Sequence, residues 1–383
     1  MRLAFDLTSV AKPRRGGIGT YGWELVRAIA AAAPQHELVL AVRPNRWLKR
    51  GLLRDIAPGV RPRLLLDTWA DACLSRPDVL HSVGVRLPAR MRAARVVTLH
   101  DVNVFEFPEL SDERWRQERQ ARIVQTLARA DLAIAYSSQG REALAAHTGF
   151  PADRVRVVPC GVDTARFRRP GDAALRSALA RHELLAPDGA PRPYVLLAGE
   201  PSPRKNQAGL VAAFARAAAA RAGGAPALPD DWLLVLAGPR GAEAAELRQA
   251  AAAAGLPASR LRLPGWVPDD DLPALLAGAG LYVCASLHEG FGLPVLEAQA
   301  CGVPVLCSNR GALPETLGDC GVLFDPGDAQ GFATALAGLA RDAARRAALA
   351  DRGPRRVTEG FSWRRVAEMT LAAHVEAVAL RRG

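Results

Sequence analysis

Several signals are missing from this chain of 383 residues, and each absence narrows what it can be. No apolar run approaches the ~18–20 residues that cross a bilayer, so no spanning helix is expected. Met1–Leu7 reads as a first strand and not a signal peptide, because no apolar core follows it. No polar low-complexity tract is long enough to form a disordered region. The six cysteines (Cys73, Cys160, Cys284, Cys301, Cys307 and Cys320) show no C-x-x-C spacing. Several lie in apolar strand patterns, so they read as reduced core residues of a cytoplasmic protein, with no metal site expected. The glycine loop at residues 16–19 lacks G-x-G-x-x-G spacing, so a dinucleotide fingerprint is unsupported. Basic motifs interleaved with aromatics are absent too, as is any recognisable nucleic-acid reading module.

What is present is length and charge. A chain of this size exceeds one ordinary core and argues for two domains. Residues 1–180 carry 29 Lys and Arg against 18 Asp and Glu, while the remaining 203 carry 21 of each. The whole formal excess of +11 therefore sits in the first half. Such a face suits an anionic partner, whether membrane lipid, a phosphorylated acceptor or nucleic acid; a merely solvated Arg-rich surface reads equally well. Arg43, Arg46, Lys49, Arg50 and Arg54 flank Trp47 and Leu48, pairing cations with an apolar wedge as interfacial segments do. A short surface helix covering the domain is the alternative.

One stretch organises the rest: His288-Glu289-Gly290-Phe291-Gly292-Leu293-Pro294-Val295-Leu296-Glu297-Ala298. An apolar run, Leu281–Ala285, precedes it, and a second, Val303–Cys307, follows Cys301-Gly302. That is a strand, loop, helix, glycine stop and strand. Gly290 and Gly292 just before the helix let the backbone approach a ligand, and the helix start favours an anion such as a phosphate. Glu289 at the strand end and Glu297 in the helix can both face the crevice above the strand ends and accept from sugar hydroxyls. An ordinary helix with acidic residues near its start is the plain alternative, made weaker by the Gly-Phe-Gly-Leu-Pro insert.

Strand and helix patterns alternate elsewhere. After the first strand, Gly16-Gly17-Ile18-Gly19 opens a helix. Arg95–Leu99 is a strand ending in His100-Asp101, where open α/β sheets place chemistry; His100 reads as a donor to a ligand or as a satisfied structural histidine. Residues 164–192 have a Pro/Gly linker composition. A new alternation begins at Tyr194–Ala198 and ends in Gly199-Glu200-Pro201-Ser202-Pro203-Arg204-Lys205-Asn206. Arg204 and Lys205 beside a helix start can hold a diphosphate, or form a solvated basic turn. Gly238 closes the next strand and Val267 the one after. Asp269–Asp271 precede a helix, so capping is expected there and a metal is not.

Two βα-alternating halves of this kind resemble the GT-B architecture, an α/β fold of two facing Rossmann-like domains with parallel sheets and a cleft between them. The motifs resemble those of the retaining glycosyltransferases called group 1, or family 4. Glu289 and Glu297 match that family's E-x7-E motif. Gly16-Gly17-Ile18-Gly19, Thr98-Leu99-His100-Asp101, Val157–Asp163 and Pro203-Arg204-Lys205-Asn206 follow its order, so the resemblance covers essentially the whole chain. It implies an acceptor-binding domain over 1–185, a nucleotide-sugar domain over 186–361, and a helix over 362–383 packing back toward the first. It further implies that Glu289 binds donor-sugar hydroxyls and Glu297 the ribose. Arg204 and Lys205 would hold the diphosphate, aided by N–H groups of Phe291, Gly292 and Leu293. Gly199, Gly238, Val267 and Gly290 complete the donor set. His100 would touch the transferred sugar, and the Gly16-Gly17 loop would close over phosphates and acceptor. Two departures stand out: Cys160, where many relatives have Asn, and Glu200, where many have Arg.

The expected activity is retaining transfer of a hexose to a glycan or lipid-linked acceptor, without protein nucleophile, obligatory metal or other cofactor. The Pro-Arg-Lys-Asn form resembles bacterial mannosyltransferases of polysaccharide or lipid-linked glycan assembly, so GDP-mannose is the first donor and UDP-hexoses follow. The basic half suggests a peripheral enzyme on the inner face of the cytoplasmic membrane. A sugar-nucleotide epimerase or hydrolase of the same fold is one rival. A nucleic-acid-binding protein is the other, although no nucleic acid partner is expected.

Overall fold

The computed structural model describes residues 1–13, 16–108, 112–220 and 227–382. The chain divides into two compact units, one made of Met1–Gly161 with Phe361–Gly383 and the other of Val162–Gly360.

The first unit is built on β1 (Arg2–Asp6), β2 (Glu37–Val42), β3 (Arg63–Leu64), β4 (Val79–Ser82), β5 (Ala94–Thr98), β6 (Leu132–Ala135) and β7 (Val155–Val157). All neighbours pair parallel, in the order β3-β2-β1-β4-β5-β6-β7. Leu3, Ala4 and Phe5 of β1 and Val96 and Val97 of β5 are fully buried, as expected of strands covered by helices on both faces. Strand order reverses between β1 and β4, which opens a crevice at the carboxyl ends. The helix Gly17–Ala32 follows β1, and His100 lies just beyond β5.

The terminal helix, Trp363–Arg382, packs on Gly17–Ala32 and on β4 and β5. Its polar ties explain why it docks there. Arg156 Nε donates to Glu376 Oε2 at 2.7 Å, and Arg381 bonds Asp131 at 3.2 Å and the Met91 carbonyl at 2.8 Å. His374 Nε2 meets His81 Nδ1 at 3.0 Å inside the core. Burial keeps both rings neutral, lowering His374 to about 3 and His81 well below its ordinary value.

The second unit is built on β8 (Tyr194–Ala198), β9 (Leu233–Ala237), β10 (Leu261–Gly265), β11 (Leu281–Cys284), β12 (Val305–Ser308) and β13 (Gly321–Phe324). These too are all parallel, in the order β10-β9-β8-β11-β12-β13. Val195, Leu197, Leu234, Leu236 and Val283 pack with Phe214, Trp232 and Phe332 to form its core. Here the order reverses between β8 and β11, so the loops after those two strands flank this unit's crevice.

The compact units divide at Gly161/Val162, where the sequence reading places the division after residue 185. Three expectations need correction. Residues read as linker form the helix Asp172–Arg181, which packs on Leu272–Gly278. Asp271, expected to cap that second helix, caps nothing; its carboxylate instead accepts from Arg181 at 2.5 Å and meets His182 at 3.0 Å. Arg43 is not a surface cation either. It is 4% exposed, ion-paired to Asp6 at 2.8 Å and to Asp67, because β2 delivers it beside the carboxyl end of β1. The rest of the segment forms a 3₁₀ helix, Pro44–Leu53, with Leu53 buried and Leu48 92% exposed. The charge asymmetry follows the units: Met1–Gly161 with Phe361–Gly383 holds 29 Lys and Arg against 18 Asp and Glu, and Val162–Gly360 holds 21 of each.

Candidate active site

In the second unit the loop after β8 turns through Pro203–Lys205 and places Asn206 in the left-handed region (φ 52°) at the start of the helix Gln207–Ala219. The loop after β11 runs through His288–Gly292 into the helix Leu293–Ala300. Leu287 N donates to the Arg204 carbonyl and Arg204 Nη1 to the His288 carbonyl, both at 2.8 Å. Those two bonds stitch the loops together across the switch point.

The side chains then converge on Glu289. Arg204 Nη1 lies 2.5 Å from Glu289 Oε2 and Lys205 Nζ 2.7 Å from Oε1. Ser286 Oγ donates to Oε1 at 2.8 Å. Burial opposes ionisation of Glu289, yet Lys205 and Arg204 outweigh it and hold its pKa below the ordinary carboxylate value. Three groups with two positive charges and one negative leave a net cation, oriented by hydrogen bonds at the lip of the sheet.

Two glycines in this region are demanded by the protein itself. Gly292 starts the helix at φ 92°, where a Cβ would strike Leu313. Gly238 sits at φ 122° against the Gly199 carbonyl, where no Cβ fits. Close approach of the ends of β8 and β9 shapes the floor of a cavity of about 360 Å³.

Gly199, Gly238, Val267 and Glu297 line that cavity, with Glu200, Arg240, Glu243, Trp266 and Tyr282. Arg204, Lys205 and Glu289 form the ion cluster beside it. Lys205 connects the two, its stem 3.7 Å from the position a Cβ would take on Gly199 and its charge felt by Glu297. Glu297 is enclosed yet reached by solvent through the cavity. Burial pushes its carboxyl up to about 7, against the pull of Arg166 and Lys205. Phe291 is buried, with its carbonyl accepting from Thr316 Oγ1, while Gly290 and Leu293 are partly exposed.

His100, Gly16 and Gly17 belong to the first unit. His100 Nε2 donates to the Val83 carbonyl at 2.7 Å, which leaves Nδ1 to accept from Tyr136 Oη at 2.6 Å. Burial lowers its pKa, so the neutral ring has a defined tautomer. Tyr21 meets it edge-on at 5.5 Å. Among the described residues, a Cβ on Gly16 or Gly17 would meet nothing within 4 Å. Arg14 and Arg15 lie outside the described residues. Cys160 is buried, its Sγ 3.6 Å from the Gly161 carbonyl; Glu200 is exposed at the cavity edge. Among the described residues no three His, Cys, Asp or Glu side chains gather to hold a metal ion.

Sequence reasoning passed over Ser286, Arg240, Glu243, Trp266, Tyr282 and Arg166. Ser286 had a usable signal, three residues before Glu289 in one loop; Arg240 and Glu243 follow Gly238 just as closely. Arg166 had none, since its charge reaches Glu297 from a segment far away in the chain.

Residues 186–356 match the family of glycosyl transferases group 1, and residues 15–166 match glycosyltransferase family 4. The chain is 30% identical over 402 residues to the O-antigen chain mannosyltransferase B of Escherichia coli, covering 98% of this chain and 99% of the relative. It is 39% identical over 406 residues to the D-inositol 3-phosphate glycosyltransferase of Salinispora tropica, covering 96% and 82%. Among solved structures, Anabaena HepE in complex with UDP aligns over 98% of this chain and 100% of that one, with a TM-score of 0.74 and 21% identity. WaaG, a glycosyltransferase involved in lipopolysaccharide biosynthesis, aligns over 97% and 99%, with a TM-score of 0.68 and 14% identity.

Proposed function

The chain belongs to the group 1, family 4 glycosyltransferases of GT-B fold, and from that we propose that it moves a hexose, with retention at the anomeric carbon, from a nucleotide sugar to a glycan or lipid-linked acceptor. The observation that carries this reading is the Arg204–Lys205–Glu289 cluster beside the Glu297 cavity at the switch point of β8 and β11. The cavity takes the nucleoside, with Glu297 accepting from ribose hydroxyls. Arg204 and Lys205 take the diphosphate as it leaves, and Glu289 turns to the transferred sugar. Charge developing on the departing phosphate is thereby met by preorganised cations, with no obligatory metal or other cofactor. His100 reaches the sugar by exchanging its bond to Val83 or to Tyr136. Gly16 and Gly17, where a Cβ would meet none of the described residues within 4 Å, leave room for ligand backbone contact.

Mannose from GDP-mannose is the proposed donor; the O-antigen chain mannosyltransferase among the relatives supports the mannose. A thermal-shift panel of GDP-mannose, UDP-glucose and their sugars tests it, since a ligand bound to the native state raises the melting temperature. GDP-mannose should give the largest rise, and a larger one from UDP-glucose would replace the donor. Donor turnover without any acceptor would move the reading to a hydrolase or epimerase.

A peripheral attachment completes the proposal. Arg46, Lys49, Arg50 and Arg54 surround exposed Leu48 and Leu52, with Arg50 stacked on Trp47 at 4.4 Å. Cations around an apolar wedge suit the anionic inner face of the cytoplasmic membrane. No described helix is long and apolar enough to cross one.

A further inference from the structure

His100 of the first unit is held on three sides, and each side leans on the helix Gly17–Ala32. Its Nε2 donates to the Val83 carbonyl at 2.7 Å, and Val83 lies so close to that helix that a Cβ on Gly22 would stand 3.0 Å from its side chain. Its Nδ1 accepts from Tyr136 Oη at 2.6 Å, and the Tyr136 ring meets Tyr21 edge-on at 5.1 Å. Tyr21 closes the third side, edge-on to His100 at 5.5 Å. Tyr21 is itself 2% exposed, and the terminal helix reaches it by two routes. Trp363, the first residue of that helix, meets its ring at 5.9 Å. The indole rests on Gly161, where a Cβ would stand 2.5 Å from it. The second route is polar: Tyr21 Oη lies 3.4 Å from Thr98 Oγ1, which lies 2.8 Å from His81 Nε2, and His81 meets His374 of the same helix.

We propose that Tyr21 and Trp363 are positioning residues for His100, so that the terminal helix sets the orientation and tautomer of that ring. Which imidazole nitrogen carries the proton is decided by the bond the other nitrogen makes. Nδ1 stays unprotonated only while Tyr136 Oη points at it, and Tyr136 keeps that aim by packing on Tyr21. With the indole gone, Tyr21 gains room on the Trp363 side, Tyr136 loses its support, and the two tautomers of His100 mix. The form protonated at Nε2 is the one that can turn its N–H from Val83 to a sugar hydroxyl. The proposal rests on the glycosyltransferase reading for the sugar alone; the placement of the ring needs no substrate.

Nitrogen-15 NMR of the imidazole rings in the full chain tests this, with the His100 signals assigned by their loss in His100→Gln. Wild type should show one tautomer, protonated at Nε2. Trp363→Ala should show both, as should Gly161→Ala, whose methyl displaces the indole, and Trp363→Phe should return most of the single form. Glu376→Gln is the structural control. It weakens the tie from Arg156 to the same helix, so it should lower the melting temperature and leave the His100 signals unchanged. Nucleotide-sugar turnover by Trp363→Ala should fall ~10-fold or more in kcat, while nucleoside diphosphate, held by Arg204 and Lys205 of the second unit, binds as to wild type. A single tautomer in both Trp363→Ala and Gly161→Ala would overturn the proposal. Equal mixing in Glu376→Gln would overturn it too, by reducing the effect to general loosening. A wild type that turned over no nucleotide sugar would instead strike the glycosyltransferase reading, and the tautomer comparison would still decide the placement of His100.

Discussion

Replacing Glu297 by Gln should make the protein more stable and less able to bind its donor. The carboxyl is raised from its ordinary 4.5 to about 7, and each pH unit is worth ~1.4 kcal/mol. The native state therefore disfavours the charged form by about 3 kcal/mol, less what solvent entering the cavity screens. The sign follows from linkage: between 4.5 and 7 the native carboxyl keeps its proton while the unfolded one has lost it. Wild type thus loses stability as pH rises through that window, and the loss is complete above 7. Glu297→Gln carries no proton to lose. Its advantage should be small at pH 5 and reach about 1–3 kcal/mol at pH 8. In a domain of this size each kcal/mol moves the melting temperature by about 2–4 °C. Urea melts of both proteins at pH 5 and pH 8 measure it. Nucleoside binding supplies the counterpart: wild-type affinity should rise with pH through 7 as the acceptor carboxylate forms, and the Gln variant should bind ~10-fold more weakly with no pH dependence. A variant with the same stability gap at both pH values would show that the carboxyl is not held neutral, and the reasoning would fail.

Other perturbations separate the remaining roles. Glu289→Gln should cut turnover ~10-fold or more, since a charged hydrogen bond is worth ~1.5–3 kcal/mol; unchanged steady-state kinetics would remove Glu289 from the site. Arg204→Ala and Lys205→Ala should weaken calorimetric binding of the nucleoside diphosphate far more than that of the nucleoside, and equal losses would make the pair structural. Arg43→Gln should destabilise the first unit by ~3–5 kcal/mol in urea by leaving Asp6 unpaired; a change under 1 kcal/mol would mean water reaches that pair. Changing Arg46, Lys49, Arg50 and Arg54 to Gln should reduce co-sedimentation with anionic vesicles, each cation contributing ~1 kcal/mol, whereas binding alike to neutral vesicles would remove the electrostatic attachment.

Much of the fold was legible because its strands are short apolar runs closed by glycine or polar residues, and the E-x7-E stretch announced the switch-point loop of the second sheet. What escaped was whatever depends on distance through space. β3 is two residues long and has no pattern of its own. The helix Asp172–Arg181 hid among prolines and glycines that suggested a linker. Arg43 sits among surface cations in the chain, and only the pairing of β1 with β2 brings Asp6 beside it. Asp271 stands where a cap belongs, but Arg181 and His182 compete for its carboxylate more strongly than backbone N–H groups do. The pairing of Glu289 with both Arg204 and Lys205 was equally invisible, because 84 residues separate it from Lys205.

The return of Phe361–Gly383 to the first unit bears on how the protein is made. A ribosome releases the chain from its amino end, so Val162–Gly360 is complete and can fold while the first unit still lacks its last helix. Until then His81 has no His374 to meet, and the surface of Gly17–Ala32 that receives Trp363–Arg382 stays wet. The nascent first unit must wait, partly open, for a segment synthesised after its entire neighbour. Removing residues 361–383 would leave that waiting state permanent, and a fragment ending at Gly161 would be a substrate for proteases and not a domain.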